Sequence, residues 1–257
     1  MRAINSKGTF RVAVVGDFQI GKSSLVNCLL SESLAETGER FEPMTDAVTE
    51  YDFTNGVSLV DTPGFNDKRT ELTNMTNEEI VRADAVLFIK MGKTLGDRDI
   101  AILKATDRKP LIVLFNCDER TIGTKGSDPE LSKNEETCKT IQSQFAREGI
   151  LPYVLAIGNC PVTPINILWA QFGIGLPLSD EQRHDVVDFA RERLGVAFEG
   201  DLLRSEMLHR SGFLPVREFL MNLPLELLKH AVLNPQREID RIVDRFAAKL
   251  KKRWTAA

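Results

Sequence analysis

Eight consecutive residues near the start of the chain, Gly16-Asp17-Phe18-Gln19-Ile20-Gly21-Lys22-Ser23, have the types and spacing that hold a chain of phosphates. Glycines at both ends let the backbone curl until successive N–H groups converge on anionic oxygens, and a helix starting at Lys22 adds its positive end. The Lys22 ammonium then reaches the outer phosphates, and the Ser23 hydroxyl is a hard oxygen ligand for Mg2+. The residues expected to touch the phosphates are Asp17, Phe18, Gln19, Ile20, Gly21, Lys22, Ser23 and Ser24.

A second constellation lies downstream, at Asp61-Thr62-Pro63-Gly64. On its own this tetrapeptide is only a turn. Following an apolar run and paired with the glycine-rich loop, it puts a carboxylate beside Ser23, so that Ser23 and Asp61 hold Mg2+ or its water shell. Gly64 can offer its backbone N–H to a terminal phosphate, because no side chain blocks the approach.

These groups need a sheet to carry them. Short apolar runs at Phe10–Val15, Val57–Val60, Ala85–Ile89, Leu111–Phe115 and Tyr153–Ile157 read as strands separated by helix-length stretches, the pattern of a largely parallel sheet covered on both faces. Glu50–Phe53 joins Val57–Val60 through Thr54-Asn55-Gly56, since Asn-Gly favours a tight turn, giving one antiparallel edge strand. Helices are expected at Lys22–Leu30, Asn77–Arg82, Asp97–Ala105, Asn134–Glu148 and Asp180–Leu194, the last with Ser179 as its cap and Gly195 as its stop. Gly173–Pro177 is expected to break the chain ahead of it. The fold class is therefore α/β, a mostly parallel P-loop NTPase sheet with helices on both faces and a C-terminal helical extension. The domain reading is 9–222 with an elaboration at about 173–210, then a helical tail at 223–257.

With these motifs in place, the chain resembles the translation-factor class of GTPases. Ser23-Ser24-Leu25-Val26-Asn27-Cys28-Leu29-Leu30 is similar to a run found in Era-like, dynamin-like and immunity-related members. Ala83-Asp84-Ala85-Val86-Leu87-Phe88, Leu95-Gly96-Asp97-Arg98-Asp99 and Ser211-Gly212 before an apolar helix resemble later segments of that group. The resemblance implies GTP and GDP as ligands, Mg2+ as cofactor, and catalytic roles for Lys22, Gly64 and a switch threonine. That threonine completes the metal shell and releases its loop on hydrolysis. Thr45 and Thr49 are the candidates, with Thr49 favoured because it sits just before the expected edge strand.

Two departures from the class stand out. Its guanine-reading Asn-Lys-x-Asp motif appears as Asn116-Cys117-Asp118-Glu119, so the aliphatic stem that covers the base is missing. Asp118 is the favoured reader of the base and Glu119 the alternative, and the class's supporting backbone N–H falls by position near Gly158-Asn159. Discrimination against the wrong base rests on a buried polar group left unpaired, so guanine selection is expected to be weak. The second departure is Phe65, which stands after Gly64 where several relatives place a water-orienting glutamine. Turnover should then be slow alone and rise with a partner or a second copy meeting the nucleotide face. Gln19 and Arg69 are candidates for such an interface, although a solvated polar loop is the favoured account of each.

The formal net charge of -4 argues against a broad nucleic-acid footprint. Cys28, Cys117, Cys138 and Cys160 show no close spacing of the kind zinc or dithiol sites use, and no apolar run is long enough to span a bilayer, so a cytoplasmic protein is expected. At the C-terminus, Ile239, Ile242, Val243, Phe246, Leu250 and Trp254 form one helical stripe within Pro235–Trp254, opposite a basic face. Such a helix either docks on the body with its charges solvated or meets a protein partner or a membrane surface. Three functional readings stand: a GTP-hydrolysing switch, a degenerate nucleotide-binding module with little turnover, and a P-loop enzyme using ATP.

Overall fold

The computed structural model describes residues 9–17, 19–34, 48–53, 56–64, 70–106, 109–117, 129–192, 195 and 199–233, without the side chains of 70–74, 129–133 and 230–233. Phe18, Thr45, Asn55, Phe65, Arg69, Asp118, Glu119 and the expected helix at Pro235–Trp254 lie outside that description. Two compact units are present, Met1–Met221 and Asn222–Ala257.

In the first unit, β1 (Phe10–Gly16), β3 (Val57–Asp61), β4 (Ala85–Lys90), β5 (Leu111–Asn116) and β6 (Val162–Ile165) run parallel, and β2 (Thr49–Asp52) is the antiparallel edge. The strand order is β2-β3-β1-β4-β5-β6. The β2–β3 hairpin forms where the Asn-Gly signal lies, with Gly56 at φ 72 and the Phe53 N–H donating to the Val57 carbonyl at 2.9 Å. Strand segments buried on both faces must be apolar, which is why Val12–Val15 of β1, Ala85–Ile89 of β4 and Leu111–Phe115 of β5 are unbroken hydrophobic runs. Ala13, Val15, Val86, Phe88, Val113 and Phe115 pack on one face against Ile80, Ile102, Leu103, Ile141 and Phe145. Those residues belong to α2 (Thr70–Arg82), α3 (Asp97–Ala105) and α4 (Pro129–Arg147). Their alternates Val12, Val14, Leu87, Ile89, Ile112 and Leu114 point the other way and are as fully buried.

α1 (Lys22–Leu30) packs on β1 and β3 and against α5 (Ile167–Ile174). A separate cluster of Trp169, Phe172, Val186, Ala190, Leu203 and Met207 joins α5 to α6 (Asp180–Glu192) and α7 (Gly200–Arg210). Ser179 caps α6 as expected: its hydroxyl accepts from the Gln182 N–H at 3.2 Å, and the Gln182 side chain accepts from the Ser179 N–H at 3.0 Å. α8 (Phe213–Met221) completes this unit. In the second, α9 (Leu223–Leu233) starts with Glu226 N–H donating to the Asn222 carbonyl at 3.1 Å, and carries exposed Leu225 and Leu228. Among the described residues no helix is long and apolar enough to cross a membrane.

The sequence expectation misplaces one strand and does not include the helix α5. Tyr153–Ile157 is not a strand: Tyr153 ends a 3-10 turn that starts at Leu151, and Val154 meets the sheet through an isolated bridge to Leu111. The last strand is Val162–Ile165, where Pro164 is tolerated because β6 is an edge. The break expected over Gly173–Pro177 falls at Gly175, which closes α5 in the left-handed conformation at φ 85. Gly173 itself lies inside α5, where the helix presses on α7: a Cβ there would sit 2.5 Å from Leu208 Cβ and 2.8 Å from the Arg204 carbonyl oxygen. The helices expected from Asn77 and Asn134 both begin earlier, at Thr70 and Pro129.

Candidate functional site

The C-terminal ends of β1 and β3 and the start of α1 converge on one point. Gly16 is required there because a Cβ would stand 2.3 Å from Ile20 Cδ1 and 2.5 Å from the Ile89 carbonyl oxygen. Gly21 caps α1 at φ 95, and a Cβ would meet Ile167 Cδ1 at 3.0 Å. Ile20 is buried, whereas Gln19 is exposed with its backbone in the left-handed region at φ 57.

Lys22 opens α1 and is only 7% exposed. Its Nζ donates to the Asp17 carbonyl at 2.8 Å, a bond that folds the lysine back over the loop. Burial pushes the Lys22 ammonium down to about 8, against the opposing charges of Asp61 and Asp17. A poorly solvated cation in an anion-binding loop is matched to a phosphate that restores what burial removes. Ser24, next on α1, is half-buried.

The Ser23 hydroxyl donates to Asp61 Oδ2 at 2.7 Å. Asp61 is 2% exposed, and its other oxygen, Oδ1, has no hydrogen-bond partner among the described residues. Burial raises the Asp61 carboxyl above its ordinary range, opposed by the Ser23 hydrogen bond, the Lys22 charge and the Thr62 backbone N–H. A buried carboxylate oxygen without a partner, beside a serine hydroxyl, fits a small hard cation such as Mg2+ whose remaining ligands are phosphate and water. Thr62 Oγ1 donates to the Val14 carbonyl at 2.8 Å and Thr76 Oγ1 to the Pro63 carbonyl at 3.2 Å, so both sides of the turn before Gly64 are tied down. Gly64 is half-buried at the end of that turn.

Thr49 is the first residue of β2, not the residue before it, and pairs in register opposite Asp61. It is thereby committed to the sheet ladder.

Asn116 ends β5, and its carboxamide joins two elements: Nδ2 donates to the Ile20 carbonyl at 3.0 Å, and Oδ1 accepts from the Ile167 N–H at 3.3 Å. One side chain therefore braces the phosphate loop against the N-terminus of α5. Asn159 is not brought to this site. It lies in the turn between Ile157 and Cys160, before β6, at the end of the sheet opposite to the one where Asn116 sits. The residue after β6 is Asn166, whose Oδ1 caps α5 by accepting from the Trp169 N–H at 2.9 Å. Its Nδ2 is buried without a partner among the described residues.

Sequence reasoning also missed an ionic pair beside the loop. Lys90, at the end of β4, meets Asp99 of α3 at 2.8 Å, and Asp99 also accepts from the Gly96 N–H at 2.8 Å. Asp17 lies near enough to be affected: burial and then the Asp99 charge raise its carboxyl, while Lys90, Lys22 and Arg98 oppose them. The signal was Lys90 following an apolar strand next to the one that feeds the phosphate loop. No group of three or more metal-ligating His, Cys, Asp or Glu occurs among the described residues.

Comparison with known proteins gives the same picture. Residues 11–117 match the family described as 50S ribosome-binding GTPase. The GTPase Era of Neisseria meningitidis serogroup C is 32% identical over 113 residues, covering 41% of this chain and 37% of Era. The tRNA modification GTPase MnmE of Lacticaseibacillus paracasei is 32% identical over 111 residues, covering 40% of this chain and 24% of MnmE. This chain thus spans less than half the length of these curated relatives. Among solved structures, Era of Aquifex aeolicus is similar over 70% of this chain and 56% of that one, at 19% identity and a TM-score of 0.45. The motifs and the family match fall on the same stretch, residues 11–117, which is similar to the GTPase domains that family describes.

Proposed function

We propose that this chain is a Mg2+-dependent GTP-binding protein that hydrolyses GTP to GDP and phosphate as a conformational switch. The observation that carries the reading is the meeting of Ser23, Asp61 and buried Lys22 at the mouth of one glycine-bounded loop. Lys22 holds the outer phosphate oxygens, and the α1 N-terminus adds backbone N–H donors. Ser23 and Asp61 would hold Mg2+, which supplies charge neutralisation across the outer phosphates. Gly64 presents its N–H to the terminal phosphate without a side chain in the way.

We favour Thr45 over Thr49 as the switch residue, because Thr49 pairs opposite Asp61 at the start of the β2–β3 ladder and a switch threonine must leave with its loop on hydrolysis. For the base, Asn116 holds the loop while Asp118 accepts from the guanine edge.

Phosphate release from GTP, followed at increasing protein concentration, tests the switch reading. Turnover that climbs more steeply than protein concentration supports activation by a second copy across the nucleotide face. Tight GTP binding with no release at any concentration leaves a nucleotide-binding module instead.

A further inference from the structure

At the end of β1 away from the phosphate loop, one guanidinium holds carboxylates from two different elements. Arg11 Nη2 meets Glu50 Oε2 of β2 at 3.0 Å and Glu79 Oε2 of α2 at 2.9 Å, and its Nε donates to Glu50 Oε2 at 3.1 Å. The Arg11 side chain is 12% exposed and that of Glu79 7%, so both charges are largely out of water. Ser58 of β3, in register beside Arg11, donates its hydroxyl to Glu50 Oε1 at 2.6 Å. Packing does not call for a charge here: Ala13 and Val15, the next residues on the same face of β1, are apolar and lie in the core under the helices.

The C-terminal end of α2 is anchored around this point. Buried Lys109 donates from Nζ to the carbonyls of Ile80, Val81 and Ala83, which the end of a helix leaves without intrahelical partners. The Arg11 backbone holds the next residue of the turn, its N–H donating to Asp84 Oδ2 at 3.0 Å and its carbonyl accepting from the Asp84 N–H at 2.8 Å. From this fixed point both elements lead to the nucleotide site. β2 begins at Thr49, opposite Asp61, and α2 is tied by Thr76 to the Pro63 carbonyl, in the turn that carries Gly64.

Resting on the GTPase reading above, we infer that Arg11 is a positioning residue that couples β2 to α2, so that the metal side and the terminal-phosphate side of the site respond together. Both carboxylates are paired on one Nη2 only when both elements are in place. If β2 withdraws, Arg11 keeps a single carboxylate in a poorly solvated site, and the ionic network under α2 must redistribute; movement of α2 acts on β2 by the same route. A terminal phosphate that orders one element thereby lowers the cost of ordering the other, which makes the two contacts cooperative. Arg11 lies at the opposite end of β1 from Gly16, so it acts on the response to nucleotide and touches none of the phosphates.

The test measures affinity and hydrogen exchange of the full chain with GDP and with a non-hydrolysable GTP analogue, for wild type, Glu50→Gln, Arg11→Met and Arg11→Lys. Glu50→Gln removes one charge at an exposed position and leaves the Arg11–Glu79 pair, so the fold should hold. GDP lacks the terminal phosphate, and its affinity should stay within about twofold in each variant, while analogue affinity falls by about fivefold or more. In wild type, replacing GDP by the analogue should slow exchange in both β2 and α2, and in Glu50→Gln and Arg11→Met that difference should shrink. Arg11→Lys should behave like Arg11→Met, because an ammonium lacks the fork that serves both carboxylates. Wild-type analogue affinity and exchange differences in Glu50→Gln and Arg11→Met would overturn the coupling. Exchange that quickens equally with both nucleotides marks a structural brace only and overturns it too. A wild-type chain that prefers GTP to ATP but shows no exchange difference in β2 or α2 overturns the coupling alone, whereas preference for ATP overturns the GTPase reading and the inference with it.

Discussion

The Ser23 hydroxyl and the Asp61 carboxylate meet at 2.7 Å across 38 positions of sequence. That contact exists because β1 and β3 lie side by side in parallel register, with Val14 opposite Asp61, so both strands deliver their C-terminal ends to one place. Asp61→Asn keeps the shape of the side chain and removes the charge that a cation needs. The Mg2+-dependent gain in triphosphate affinity should fall by about tenfold or more, as isothermal titration with and without Mg2+ would show.

Lys22→Ala separates binding from stability. The substitution should abolish triphosphate binding, while the melting temperature of the nucleotide-free chain holds or rises, because a buried, poorly solvated ammonium has been removed. Unchanged nucleotide affinity would remove the phosphate-loop assignment.

The depressed Lys22 ammonium gives a pH signature. In the free protein it loses its proton near pH 8, and a bound triphosphate raises that value by favouring the charged form. Below about 8 the lysine is already charged, and binding takes up no proton there. Above it each binding event must take one up, so affinity should fall by up to about tenfold per pH unit. Stability moves the other way in the nucleotide-free chain: between about 8 and the ordinary 10.5 the unfolded state holds more protons, so this group's contribution improves as pH rises. Lys22→Met should flatten the stability profile in that window.

Asn116→Ala cuts two ties at once, those to the Ile20 carbonyl and the Ile167 N–H. Leaving these backbone groups unpaired in a buried setting should cost about 1–3 kcal/mol of stability, measured by urea unfolding. Nucleotide affinity should drop as well, since the phosphate loop loses its brace.

Thr45→Ala and Thr49→Ala should differ sharply. Thr49 is an exposed edge-strand residue and its truncation should leave phosphate release within about twofold, as surface substitutions usually do. Thr45→Ala should lower it by about tenfold or more. The reverse ranking would return the switch role to Thr49.

The phosphate side of the site was legible in the sequence because each piece has a local signature: an unbroken apolar strand, a glycine-bounded loop, and a lysine and serine opening a helix. The β2–β3 hairpin was legible for the same reason, through Asn55-Gly56. The errors arose where tertiary packing decides. Pro164 disguised a strand because an edge position relaxes the rule against proline. The helix α5 ahead of the expected break at Gly173–Pro177 was not legible, and Gly173 belongs to it: α7 lies too close there for any Cβ. Misplacing β6 carried Asn159 along with it, and hid Asn166 and Ile167 as the residues that follow the last strand. The Lys90–Asp99 pair and the Thr76 tie to Pro63 join elements distant in sequence and leave no local pattern.

The most direct test of the proposed function is an equilibrium competition among GTP, GDP and ATP for the full chain, with and without Mg2+. GTP and GDP should bind in preference to ATP, with Mg2+ strengthening the triphosphate. Preferential binding of ATP, or a GTP affinity indifferent to Mg2+, would contradict the reading of this site as a GTPase switch.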